Sequence, residues 1–161
     1  MSLQYIIDGY NIINHPLFTQ HAPKKIEDSR VRLLEFIRVN KFCASPKNKI
    51  TVVFDGHSDL SSQILDKTDI DIIFSRRETA DERIKKMVEK ADNPKNVVVV
   101  SDDKEITFFA KSCGAKVLNI QEFINRGKKL INLQRPEPLK PELSYTQIHK
   151  INQELRRIWL K

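Results

Sequence analysis

The chain has 161 residues, 40% hydrophobic and 30% charged, which suits one compact domain with its own core. No run approaches the roughly 20 apolar residues that span a bilayer, no basic-then-apolar leader opens the sequence, and its two cysteines, Cys43 and Cys113, lack metal-ligand spacing, so a cytoplasmic protein with buried, reduced thiols is expected. The formal net charge of +7 suits a polyanion such as RNA or DNA.

The first predicted element is Tyr5-Ile6-Ile7, an apolar run that ends abruptly in Asp8-Gly9-Tyr10-Asn11. Such a run reads as a strand buried on both faces, hence as part of a parallel sheet. Open parallel sheets place ligands at the carboxyl ends of their strands, which is where Asp8 falls. Gly9 is read as the residue that lets the chain turn sharply. The structural alternative is that Asp8 and Asn11 only cap the next turn. A loop is expected from Ile12 to Ala22, then a helix opened by Pro23 and running from about Lys24 to Phe42.

The second strand, Ile50 to Phe54, again closes in a carboxylate and a glycine, Asp55-Gly56. A polar segment from His57 to Thr68 leads to a third strand, Ile70 to Phe74, whose alternation fits an edge position. Thr79-Ala80-Asp81-Glu82 fits a capping box, and Ile84, Met87, Val88 and Ala91 share one face of the helix it starts. Val97 to Val100 is the most strand-like run and ends in Ser101-Asp102-Asp103. A helix from Asp102 to about Ser112 follows, with Gly114 placed as its C′ residue. Lys116 to Leu118 is a short fifth strand, and a small helix lies around Gln121 to Ile124.

The tail differs in character. Residues 127–143, rich in basic residues and proline, read as a linker. Residues 144–161 read as an amphipathic helix with Ile148, Ile151, Leu155 and Ile158 on one stripe, docked on the domain formed by residues 1–126.

Strands alternate with helices throughout, which predicts an α/β fold with a mostly parallel sheet of about five strands. In that frame Asp8, Asp55 and Asp102 each follow a strand, and Asp81 sits in the first turn of a helix. Each has a structural alternative, as a helix-start residue or a turn residue. That three separate strands end in aspartate is harder to dismiss. Carboxylates gathered at one rim repel one another unless a cation intervenes, and hard oxygen donors select magnesium or manganese. Such an ion supports in-line displacement at phosphorus.

Asp8-Gly9-Tyr10-Asn11, Val53-Phe54-Asp55-Gly56, Thr79-Ala80-Asp81-Glu82-Arg83-Ile84 and Val100-Ser101-Asp102 resemble the successive motifs of the NYN domain, in particular its YacP-like branch within the PIN-like nuclease superfamily. The likeness runs from the first strand to about Phe123, with a similar but less diagnostic tail. The resemblance implies a three-layer α/β/α, Rossmann-like PIN fold with an added C-terminal helix. It also implies a metal-dependent endoribonuclease using Mg2+ or Mn2+, with RNA as substrate and, in some members, ribosome association. Carried over by position, Asp8, Asp81 and Asp102 would form the acidic metal site, with Asp55 as a further strand-end acid. Asn11 would position a ligand or water, with Thr79 and Ser101 in support. Arg76, Arg77, Lys85 and Lys86 flank this centre and are candidate contacts to RNA phosphate, against the alternative of a solvated charged face. Glu78, Glu82 and Asp103 are set aside as near misses, and His15, His21 and His57 have no spacing that marks a metal ligand or triad.

Competing readings are a non-catalytic RNA- or ribosome-binding module of the same fold and a small-phosphate phosphotransfer protein. A haloacid-dehalogenase-type phosphatase expects a second Asp where Tyr10 stands, and a receiver domain expects an acidic pair where Gly9 follows Asp8. A nucleotide cofactor is not expected, because no GxGxxG follows the first strand.

Overall fold

The computed structural model describes residues 2–40, 45–60 and 69–134, together with 149–150, 152–154 and 156–157. Five parallel strands form one sheet: β1 (Gln4–Asp8), β2 (Lys49–Phe54), β3 (Ile70–Phe74), β4 (Val97–Val100) and β5 (Lys116–Leu118), in the order β3-β2-β1-β4-β5. The helices are α1 (Gly9–Ile13), α2 (Pro16–His21), α3 (Ser29–Asn40), α4 (Ala80–Glu89), α5 (Lys104–Ser112) and α6 (Ile120–Gln134), with a short 3-10 turn at Pro94–Asn96. The α/β sheet read from the sequence is thus present, and β3 is an edge strand as its alternation predicts.

Side-chain alternation along the strands divides the interior in two. Tyr5 and Ile7 join Phe54, Val98 and Val100 in a core that also takes Leu33 and Ile37 of α3 and Phe123 of α6. Ile6 joins Val53, Val97 and Val99 in a second core closed by Ile84 and Val88 of α4 and Ile106 of α5. Each of these fully buried aliphatic or aromatic side chains contributes about 1.5–3 kcal/mol. By the same alternation Asp8 falls on the side of Ile6, facing the helices α4 and α5. The order of strands reverses between β1 and β4, so the crevice at their carboxyl ends is the switch point of the fold.

Several local expectations are corrected. No loop fills Ile12 to Ala22: α1 starts at Gly9 directly from β1, and α2 starts at Pro16, capped by His15, whose Nδ1 accepts from the Leu17 N–H at 3.2 Å. Gly9 is not in the left-handed region; its need is space. A Cβ there would lie 2.5 Å from Cε1 of Phe54. α3 begins at Ser29, not Lys24, and α5 at Lys104 with Asp103 as its N-cap.

The small helix expected around Gln121 to Ile124 instead runs on as α6 to Gln134, through the start of the expected linker. Gly114 does close α5 in a left-handed turn (φ 89°), with the N–H of Gly114 bonded to the Lys111 carbonyl and that of Ala115 to the Ala110 carbonyl.

Contacts divide the chain into two units, Met1–Ile131 and Asn132–Lys161. In the second, the described residues among 149–157 are helical and exposed, while Ile148, Ile151, Leu155 and Ile158 lie outside the described residues, as does Cys43. Cys113 is a half-buried free thiol. Among the described residues no helix is long and apolar enough to cross a membrane.

Candidate active site

Parallel strands followed by helices bring helix N-termini to one edge of a sheet, and here three of them carry an aspartate to the switch point. Asp8 is the last residue of β1 and precedes α1; Asp81 stands in the first turn of α4; Asp103 caps α5. Asp8 is buried, at 6% exposure. Its pKa is pushed up to about 6, first by burial, then by the charge of Asp81 and, more weakly, of Asp103. The Asn11 backbone N–H and the Ser101 hydroxyl, 3.4 Å from Asp8 Oδ2, oppose this without cancelling it. The Asp81 pKa is raised as well, by burial, then by Asp103, with Glu105 and Asp55 adding to it; Lys85 works the other way. Lys85 is itself ion-paired with Glu105. The rim is therefore a group of carboxylates whose charge is under-compensated.

Asp103 is the acid that sequence reasoning set aside. Its Oδ1 accepts from the N–H groups of Glu105 (2.8 Å) and Ile106 (3.2 Å), and its own N–H donates to Ser101 Oγ at 3.1 Å. The signal was available: Ile106 is the first buried residue of the helix, and an N-cap three positions before it is Asp103, not Asp102.

Asp102 is tied to α6, to His15 and to Asn11. Its Oδ1 accepts from the Ile120 N–H at 2.9 Å, at the start of α6, and its Oδ2 lies 3.6 Å from His15 Nε2. Because Nδ1 of His15 accepts from a backbone N–H, its proton sits on Nε2, turned to Asp102. Asn11 ties the two motifs together, its Oδ1 accepting from the Asp102 N–H at 2.8 Å. Asp55 is exposed and accepts from the buried Ser75 hydroxyl at 2.9 Å, which in turn accepts from the Gly56 N–H.

Among the described residues no three His, Cys, Asp or Glu side chains are drawn close enough to enclose a metal ion by themselves. Magnesium sites do not require that, since one or two carboxylates with retained waters suffice. Buried Asp8 and half-buried Asp81, whose charges repel, could supply such a pair.

Thr79 forms both halves of the capping box on α4: its hydroxyl accepts from the Glu82 N–H at 3.2 Å, and Glu82 Oε2 accepts from the Thr79 N–H at 3.1 Å. Thr79→Ala is expected to lower stability by about 1 kcal/mol and to reduce activity more than that loss explains, because Asp81 lies in the turn it fixes. Denaturant midpoints read beside initial rates check this.

Beyond the acids, an open cleft of about 830 Å³ is lined by His57, Ser75, Arg76, Arg77, Glu78 and Lys86 among others. The ladder between β2 and β3 extends into it, with the Arg76 N–H bonded to the Gly56 carbonyl and Arg76 held at φ 55°. Arg76 and Arg77 are exposed and carry no ion pair with a described residue, whereas Lys86 is paired with Glu78, as Lys85 is with Glu105.

The family model described as the YacP-like NYN domain matches residues 5–159. The chain belongs to the YacP-like NYN family. Among solved structures, this NYN chain is similar to Rae1 (YacP) from Bacillus subtilis, at 23% identity and a TM-score of 0.57, over 99% of this chain and 92% of that one. A mutant form of Rae1 (YacP) from the same organism matches at 24% identity and a TM-score of 0.61, over 83% of this chain and 79% of that one. At these identities the likeness establishes the fold. No curated protein matches the chain. The NYN family places it in the PIN-like nuclease superfamily, so a nuclease-type domain is the coarse identity that its motifs and its sheet share.

Proposed function

We propose that this NYN chain is a metal-dependent endoribonuclease that hydrolyses RNA phosphodiester bonds at the β1/β4 switch point. The observation that carries the proposal is Asp8, a buried strand-end carboxylate raised toward neutrality by burial and by a second carboxylate, Asp81. A structural aspartate in such a place is ordinarily paired with a cationic side chain; this one faces other acids. Asp8 and Asp81 would hold Mg2+ or Mn2+, with Asp103 Oδ2 and Asp55 at the margin and Asp102 next to them. A bound divalent ion would neutralise these acids and polarise the scissile phosphate. Asn11 and Ser101 orient the loops that carry the acids, and Thr79 fixes the turn that carries Asp81. Exposed Arg76 and Arg77, which form no ion pair with a described residue, would grip the RNA backbone beside the acids, and the ribosome is a candidate setting in which RNA is presented.

The test is cleavage of free and ribosome-bound RNA with Mn2+, Mg2+ or EDTA, with the Asp8→Asn protein as control. Metal-dependent cutting lost in that variant supports the proposal. RNA binding without cutting on every substrate would favour a non-catalytic RNA-binding module. The paired replacement of Arg76 and Arg77 by Ala is expected to weaken RNA binding and to reduce its salt slope by about 1 for each phosphate no longer gripped; titrations at several salt concentrations read it directly.

A further inference from the structure

The outer face of α5 holds an unusual arrangement. Among the described residues two large hydrophobic side chains are left exposed, Val39 at 57% and Phe108 at 75%. A single exposed hydrophobic needs no explanation, and Val39 has none: its neighbour Arg38 is already paired with Glu35. Phe108 differs. Ile106 and Ala110 turn α5 into the core, so Lys104, Phe108 and Lys111, at i, i+4 and i+7, share the opposite face. Both lysines are exposed, and neither forms an ion pair with a described residue. An aromatic ring between two exposed cations offers a stacking surface and phosphate contacts together, the combination by which single-stranded nucleic acid is held.

We propose that this face is a stacking platform for an unpaired RNA base, with Phe108 taking the base and Lys104 and Lys111 the flanking phosphates. This rests on the reading of the chain as RNA-acting and names the form of RNA it prefers. The placement fits, because α5 starts at Asp103, whose charge acts on both Asp8 and Asp81. Phe108 lies five residues on, about 7.5 Å along the axis, and helical side chains lean toward the N-terminus. A strand with a phosphate at the acidic rim can therefore lay a neighbouring base on the ring. Bases within a duplex are already stacked and cannot.

The experiment is fluorescence anisotropy of a short labelled single-stranded RNA, and of the same sequence as a duplex, with EDTA present so that cleavage does not intervene. Phe108→Ala is expected to weaken single-strand binding about tenfold with an unchanged salt slope, while duplex binding stays the same. Phe108→Trp should retain affinity, and Lys104→Ala with Lys111→Ala should lower the salt slope. Thermal unfolding should not move in Phe108→Ala, because the ring is exposed. Equal single-strand affinity for Phe108→Ala and the natural protein overturns the proposal, as does an equal loss on single strand and duplex. RNA binding that ignores Phe108 alongside intact cleavage overturns the platform alone; absence of RNA binding by the natural protein overturns the platform, and absence of cleavage bears only on the nuclease reading.

Discussion

Asp8→Asn is expected to abolish cleavage and, at neutral pH, to stabilise the protein. The two effects share a cause. The rise of the Asp8 pKa from 3.8 to about 6 corresponds to about 3 kcal/mol of unfavourable free energy when the group is ionised in the fold. The burial of one or two core side chains offsets that amount.

The sign follows from linkage. A carboxyl whose folded pKa exceeds its unfolded pKa binds its proton more tightly in the native state. Its contribution is therefore most favourable below pH 3.8, declines as pH rises through about 6, and is level above that. An amide at position 8 does not titrate, so the stability gap between variant and natural protein opens across this window. Urea unfolding at pH 4 and at pH 7.5 should show little difference at the lower value and up to about 3 kcal/mol in favour of the variant at the higher. Loss of one group that stabilises transition-state charge costs at least about a hundredfold in rate. A variant that keeps its activity, or that is less stable at pH 7.5, would falsify the view of Asp8 as a functional acid held at a cost to the fold.

Gly9→Ala is expected to be strongly destabilising although it places a better helix former in α1. Propensity would favour alanine by about 1 kcal/mol. Against that, the added Cβ would lie 2.5 Å and 2.6 Å from two ring carbons of Phe54 and 3.1 Å from the Val53 carbonyl oxygen. The Phe54 ring is fully buried, edge-on to Tyr10 at 5.5 Å and stacked on Phe74 at 5.7 Å, so it has nowhere to retreat. Overpacking of this kind typically costs about 1–3 kcal/mol, and with both ring and backbone opposed the upper part of that range applies. Sterics wins, for a net loss of about 2 kcal/mol. The denaturant midpoint should fall with little change in its slope. Combining Gly9→Ala with Phe54→Leu should lose less than the two single losses together, because the smaller side chain vacates the space the Cβ needs. Additive losses would show that the clash is not the cause.

Much of this architecture was legible in the sequence because strands buried on both faces leave little ambiguity. Val97 to Val100 and Tyr5 to Ile7 read as strands buried on both faces, they pair with each other in the sheet, and their ends mark the crevice. Shorter-range features were harder to read. α1 and α2 each span about a turn and a half, too short for periodicity to register, and Pro16 resembles a loop signal until it is seen as the first residue of a helix. α6 runs through Gly127 and a basic run that composition alone assigns to a linker. The pair Asp102-Asp103 shows a different limit. Spacing placed a carboxylate at the end of β4, but the start of α5 decides which of the two caps it, and that residue, Asp103, adds its charge to that around Asp8.

The position of β1 has a consequence for how the molecule is made. It is the middle strand, paired with β2 on one side and β4 on the other. A chain synthesised from its N-terminus can join β1 to β2 once Phe54 has emerged, but the opposite edge of β1 stays open until Val100 follows. During that interval a nascent chain displays an apolar strand edge, Tyr5 to Ile7, able to template mispairing. Through most of the same interval Asp8 lacks the neighbours that Asp81 and Asp103 later supply. The acidic rim thus comes together as the second edge of β1 is paired, before β5 completes the sheet.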